Sequence, residues 1–175
     1  MNITIRQETE RDYKLSEYII EKAFENAEYS DRKEQFLVER LRKSNAFVPE
    51  LSLVAEFDGE IVGHIMLTKL LIKNIDKEHE SLALAPVSVL PQHQNKSIGS
   101  KLIIESIKIA RELSFKSVIV LGHDKYYPRF GFKPADLWGI KAPFDVPKES
   151  FMALELESDS LTNVSGVVVY PKEFF

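Results

Sequence analysis

The stretch PVSVLPQHQNKSIGSKLIIESIKIA, residues 86–110, decides the fold of this 175-residue chain. It runs from an apolar segment through a polar loop straight into an amphipathic helix. Val87 to Leu90 closes a dense apolar run that begins at Leu82, as expected of a central strand buried on both faces. Pro86 lies inside that run and cannot donate to a ladder, so the strand is expected to bulge or split there. Pro91 to Ser97 reads as the loop. From Ile98 onward, Leu102, Ile103, Ile107, Ala110 and Leu113 recur at helical spacing and are expected to face inward. The first turn of such a helix leaves backbone N–H groups unpaired at its positive end, which suits phosphate. Gly99 admits an anion close to the backbone, and Ser97 and Ser100 can add hydroxyl donors. On loop chemistry alone, an ordinary strand–helix connection with a serine cap reads equally well.

Outward from this segment the pattern is mixed. Ile3 to Gln7 alternates and predicts a strand. Thr9 and Asp12 offer N-caps for a helix to about Phe24, with Leu15, Tyr18, Ile19 and Ala23 on one face. Asp31 opens a second helix carrying Phe36, Leu37 and Leu41. Leu51 to Phe57 and Glu60 towards Ile72 predict strands joined by an Asp58-Gly59 hairpin. Downstream, Ser117 to Leu121 predicts a strand and Tyr126 to Phe130 a short helix ended by Gly131. Lys133 to Glu149 reads as a long ordered loop, and Phe151 to Leu156 with Gly166 to Tyr170 as a closing pair of strands. This order predicts one α+β domain over residues 1–175 with a mixed sheet.

Composition removes several classes of function. Lys and Arg number 23 against 27 Asp and Glu, a net charge of −4, which argues against a nucleic-acid partner. With no cysteine there is no disulfide, thiolate metal site or catalytic thiol. No apolar run approaches the ~18 residues of a membrane span, and the charged start lacks a signal-peptide core, so a soluble cytoplasmic protein is expected. The seven glycines build neither a dinucleotide fingerprint nor a phosphate-loop motif. The four histidines are scattered, and no metal is expected; His64, His79 and His93 read as surface or strand residues without a role.

VSVLPQHQNKSIGSKLI resembles motif A of the GNAT N-acetyltransferase superfamily, V-x-P-x-x-Q/R-x-x-G-x-G/A. Gln94 takes the Gln/Arg position and Gly99 the last small one. Ser97 stands where the first glycine is usual, a departure that tightens the φ limits of the loop. VIVLGHDKYYPRFGFKPA, residues 118–135, resembles the strand–turn–helix of the same superfamily that ends in Y-x-x-x-GF. The resemblance covers essentially the whole chain. It implies a GNAT-like α+β fold (acyl-CoA N-acyltransferase): a mixed, mostly antiparallel sheet, helices on both faces and a splayed central strand pair.

The resemblance also implies acetyl-CoA as cosubstrate, held in the cleft of that splay. Its pyrophosphate would rest on the N–H groups of Lys96, Ser97, Ile98, Gly99 and Ser100, with Gln94 or Asn95 at the entrance, and its pantetheine arm beside Val87, Ser88 and Val89. Lys96, Lys101 and Arg129 would meet phosphate charge. A backbone N–H near Val89 would bind the oxyanion, and Tyr127 would be the general acid. Glu80, His123 and a water chain are the candidates for the base, and Phe132 and Trp138 would wall the acceptor pocket. The implied activity is acetyl transfer to a primary amine, of a small molecule or a protein, by direct attack in a ternary complex. A non-catalytic CoA-binding sensor or partner-binding module is the alternative, a longer acyl-CoA donor a third reading, and a homodimer an open one.

Overall fold

The computed structural model describes residues 2–28 and 30–175, and the chain forms two compact units. One comprises Met1–Thr68, Ala85–Ile109 and Glu173–Phe175; the other comprises Lys69–Leu84 and Ala110–Lys172.

In the first unit the alternation at the start gives β1 (Ile3–Gln7). A 3₁₀ turn over Glu10–Asp12 then leads into α1 (Tyr13–Phe24). Asp12 anchors this entry: its carboxylate accepts the Thr9 N–H at 2.8 Å and a two-pronged contact from Arg6 at 2.8 and 3.0 Å. α2 (Glu34–Arg42) follows, then β2 (Phe47–Phe57) and β3 (Glu60–Lys73). Asp58 and Gly59 take φ values of 51° and 84°, the two positive angles that match a tight hairpin to strand twist. β1, β2 and β3 pair antiparallel, with Ile5 opposite Ala55 and Val54 opposite His64. β2 is longer than the sequence pattern suggests, because its first residue, Phe47, pairs with Thr68 across a register shift.

Side-chain alternation along β3 explains why helices cover both faces of this unit. Met66 packs with Ile20, Val38 and Leu41 of α1 and α2. Gly63 points the other way: a Cβ there would lie 3.1 Å from Leu102 and 3.3 Å from Ile98 of α3 (Ile98–Glu112). A buried aliphatic side chain of this kind contributes roughly 1.5–3 kcal/mol, so the stripe decides helix orientation. The expected stripe on α1 is off by about one residue. Ser16, Ile19 and Ile20 are buried, whereas Leu15 and Tyr18 are about half exposed. Phe36 on α2 is exposed in place of Val38, and Leu113 lies beyond the end of α3.

In the second unit the outer ends of β3 and β4 (Glu78–Val89) meet at a turn where Asn74 N–H donates to Lys77 O at 3.0 Å. β4 pairs in parallel with β5 (Ser117–Leu121) through Leu82↔Val118 and Ala83↔Ile119, and that ladder ends there. β5 continues with β8 (Phe151–Glu155) as its antiparallel partner, Leu121 opposite Phe151. The Ala85–Pro86 peptide, just past the end of the parallel ladder, is cis.

Two expectations are corrected here. Lys133–Glu149 is not bare loop: it holds β6 (Lys133–Pro134), a 3₁₀ turn over Ala135–Trp138 and β7 (Ile140–Lys141). The two C-terminal strands do not pair with each other. β8 lies between β5 and β6, whereas β9 (Gly166–Val169) lies between β3 and β7. β4–β5 and β7–β9 pair in parallel, whereas β1–β2, β2–β3, β3–β9, β5–β8 and β6–β8 pair antiparallel, so the sheet is mixed and mostly antiparallel.

Candidate active site

The expected cosubstrate loop belongs to the first unit. Pro91–His93 form one 3₁₀ turn after β4, and the chain then swings through Asn95 and Ser97 at φ 63° and 64° into α3. Both residues take the left-handed backbone just ahead of the first turn of α3, whose N–H groups lack helical partners. Ser97, the residue that departs from the usual glycine, therefore occupies the conformation that glycine adopts at no steric cost. Its carbonyl accepts the Lys101 N–H at 3.1 Å, which starts the helix. Phe57, at the end of β2, braces the loop: the His93 ring lies 5.4 Å from its ring and the Lys96 ammonium 5.7 Å.

The strand before the loop has fixed peptide orientations. Leu90 N–H donates to Val62 O at 2.9 Å, on the β3 side. The Ser88 carbonyl also faces β3, since a Cβ on Gly63 would lie 3.1 Å from it. In a planar trans peptide the N–H opposes the C=O. The Val89 N–H therefore points away from β3, and so does the Val89 carbonyl. Gln94 reaches back and donates its side-chain amide to that carbonyl at 3.2 Å. Gln94 thus does more than mark the loop entrance: it caps the one acceptor beside the Val89 donor. Gly63 enters the site for the same reason, and sequence reading missed it because its neighbours are distant in the chain.

Tyr127 and His123 belong to the second unit. The turn after β5 brings the Tyr126 and Tyr127 N–H groups to the His123 carbonyl at 3.1 and 3.3 Å. Tyr127 begins a 3₁₀ helix that Gly131 closes at φ 100°. The Tyr127 ring is 8% exposed, edge-on to Tyr126 at 5.1 Å and Phe132 at 5.7 Å. A Cβ at Gly122 would run into this ring. Burial, with a smaller contribution from Tyr126, pushes the phenol up to about 12. It therefore stays protonated at neutral pH, as a proton donor must.

The remaining residues are placed apart from these. His123 is exposed. Glu80 is exposed as well and is level with Lys116 by the β4–β5 register. It lines a cavity of about 180 Å³ with His79, Lys116 and Ser117. Lys116 and Gly122 are six residues apart, so Glu80 lies ~20 Å along the strand from the Tyr127 turn. Phe132 is 2% exposed and packs in the core, whereas Trp138 is half-buried. Arg129 stacks over Tyr126 at 4.5 Å.

His64, read from the sequence as a surface or strand residue without a role, is a strand residue of β3 and not a surface one. It is fully buried. Its Nε2 lies 3.3 Å from Ser52 Oγ and 3.5 Å from Glu8 Oε2. Glu8 in turn accepts from Ser52 Oγ at 2.8 Å and from Arg42 at 2.8 Å, while Arg42 bridges to Glu17 at 2.7 Å and stacks over Tyr13 at 3.9 Å. Burial would raise the Glu8 carboxyl, but contact with the His64 imidazole and the Arg42 guanidinium outweighs it and holds the group down to about 2. No sequence signal joins residues this far apart in the chain.

The model of the acetyltransferase (GNAT) family matches residues 13–132. The uncharacterized N-acetyltransferase YjhQ of Escherichia coli (strain K12) is 39% identical over 118 residues, 67% of this chain and 65% of that protein. The chain thus spans just under two-thirds of the length of that curated relative. A GNAT family acetyltransferase from Brucella melitensis, solved in complex with acetyl-CoA, is 34% identical over 99% of both chains, with a TM-score of 0.82. YhbS of Escherichia coli, solved with CoA, shares the fold at a TM-score of 0.86 and 24% identity over 99% of this chain and 92% of that one. Motif, fold and relatives agree, and the chain belongs to the acetyltransferase (GNAT) family.

Proposed function

We propose that this protein is an acetyl-CoA-dependent N-acetyltransferase of the cytoplasm, acting on a primary amine carried by a small molecule or a protein. One observation carries the reading: the left-handed backbone at Asn95 and Ser97, at the entry to a 15-residue helix whose first turn leaves N–H groups without helical partners. The pyrophosphate rests on the N–H groups of residues 96–100, and the pantetheine arm runs along Val87–Val89. The Brucella relative, solved with acetyl-CoA, supports this choice of donor.

Chemistry follows from the peptide orientations. The amine lone pair attacks the thioester carbon, and the developing oxyanion is met by the Val89 N–H, a donor fixed before reaction begins. The C–S bond breaks with its electron pair on sulfur, and Tyr127 protonates the thiolate. Gln94 keeps the Val89 carbonyl occupied, so that acceptor does not compete for the donor's surroundings.

The test has two arms. Saturating acetyl-CoA raises the melting temperature, by the equivalent of about 2.7 kcal/mol at a hundredfold excess over Kd. An amine panel then releases free thiol from acetyl-CoA. Binding with no thiol release from any amine identifies a CoA-binding module instead, and no binding at all removes the reading.

A further inference from the structure

His64 carries a lone pair that nothing among the described residues uses. The hydroxyl proton of Ser52 is committed to Glu8 Oε1 at 2.8 Å. Its oxygen can then only accept from His64. The Glu8 carboxylate can only accept as well. His64 Nε2 faces both, so in the neutral ring Nε2 carries the hydrogen and Nδ1 is bare. Nδ1 is buried and has no hydrogen-bond partner, an arrangement that is costly unless it serves a purpose. On the neighbouring strand, Ser88 Oγ is also buried and without a partner, with Ser88 3% exposed.

The two orphans lie on the same side of the sheet. Leu90 N–H bonds Val62 O, which sets those residues opposite one another. Two residues further along each strand come Ser88 and His64, and opposite residues of an antiparallel pair point to one face about 5 Å apart. Packing agrees: Leu90 lies against Ile19, Val54 and Ile61, and Val54 is paired with His64. Glu8, Ser52 and His64 are thus linked in a line from the end of β1 across β2 to β3, and Ser88 is the next polar residue on that face, opposite His64 and not bonded to it.

We propose that this line is the proton acceptor for the attacking amine, an inference that rests on the N-acetyltransferase reading above. Ser88 meets the amine where the thioester lies along Val87–Val89. As the C–N bond forms, the nitrogen gives one proton to Ser88 Oγ, and Ser88 passes its own proton to His64 Nδ1. The imidazolium so formed sits against the Glu8 carboxylate. The sulfur receives its proton from Tyr127; after the products leave, His64 returns its proton to Ser88, Ser88 releases one to solvent, and solvent restores the phenol, so amine and thioester become amide and thiol. The groups facing His64 are Glu8 after β1, Ser52 of β2, and, through Glu8, Arg42 of α2 with Glu17 and Tyr13 of α1. His64 and Glu8 act through Ser88 and are positioning residues.

Two measurements test this. ¹⁵N NMR of the free protein should find His64 Nε2 protonated and Nδ1 bare in the neutral ring, and acetyl-CoA should move that Nδ1 signal. A proton on Nδ1 of the neutral ring overturns the relay whether or not an acceptor is known. With an amine that turns over, Ser88→Ala should lower kcat at least about tenfold and leave the Kd of acetyl-CoA unchanged; His64→Gln should do the same, lowering kcat while KM for acetyl-CoA stays put. Ser88→Ala keeps the result readable if His64→Gln does not fold. Parent-like kcat in Ser88→Ala, with acetyl-CoA bound normally, sinks the relay but leaves the acetyltransferase reading standing. Failure of the parent to bind acetyl-CoA removes both.

Discussion

Tyr127→Phe keeps the ring and its edge contacts with Tyr126 and Phe132. If the hydroxyl protonates the leaving thiolate, kcat should fall roughly 10²–10⁴-fold while KM for acetyl-CoA moves little. Because the phenol titrates only at about 12, the parent should show no alkaline limb from Tyr127 below pH 10. Tyr126→Phe is the control: adjacent residues of a 3₁₀ turn point ~120° apart, so most activity should survive. A collapse in that variant with Tyr127→Phe intact would exchange their roles. Ser97 gives the second prediction. At φ 64° it pays a steric penalty that glycine lacks. Ser97→Gly should bind acetyl-CoA as well as the parent or more tightly, as calorimetry would show. Both positions can be picked out in the sequence because their motifs are contiguous. Gln94 was legible only as a loop residue; its bond to Val89 depends on how the loop folds back.

Among the elements, the turn after β5 is the most sharply constrained. Gly122 has room for no Cβ against the Tyr127 ring. Gly122→Ala should displace Tyr127, lowering kcat at least tenfold in steady-state assays with a smaller effect on melting. Unchanged kinetics would show that the ring yields harmlessly. The contrast with α1 shows where sequence reading stops. Periodicity identified a helix, yet the stripe it favoured held the exposed Leu15 and Tyr18. The true stripe admits Ser16, a polar residue that pattern reading discounts, because it lies under the buried network around Glu8. β8 and β9 looked like a pair because they are close in sequence, but β8 pairs with β5 and β6, and β9 with β3 and β7. Glu80 seemed well placed on a central strand; register puts it at the opposite end of β5 from the Tyr127 turn.

For the whole molecule, stability should depend on acid in a defined window. The hydrogen bonds from Arg6 hold the Asp12 carboxyl down to about 2, below its usual 3.8. Glu8 is held at about 2 against a usual 4.5. Both folded values lie below the unfolded ones, so the stabilisation is complete above about pH 4.5 and is lost as pH falls towards 2. For Glu8 it is on the order of 3 kcal/mol. The melting temperature should therefore hold down to about pH 5 and drop steeply below pH 4.5, and Glu8→Gln should flatten that drop. An equally steep drop in Glu8→Gln would assign it to other carboxylates.

The enclosure of that network has a consequence for ionic strength. The side chains of Glu8 and Arg42 are 0% and 5% exposed, so counterions cannot come between them. The pair Lys116–Glu157 is more than half exposed and open to screening. Adding salt should erase the small contribution of Lys116–Glu157 while the Glu8 share of the acid transition stays at the same pH. The molecule thus carries two populations of charge, one that responds to its ionic surroundings and one that does not, and the second is the one that encloses His64 on β3.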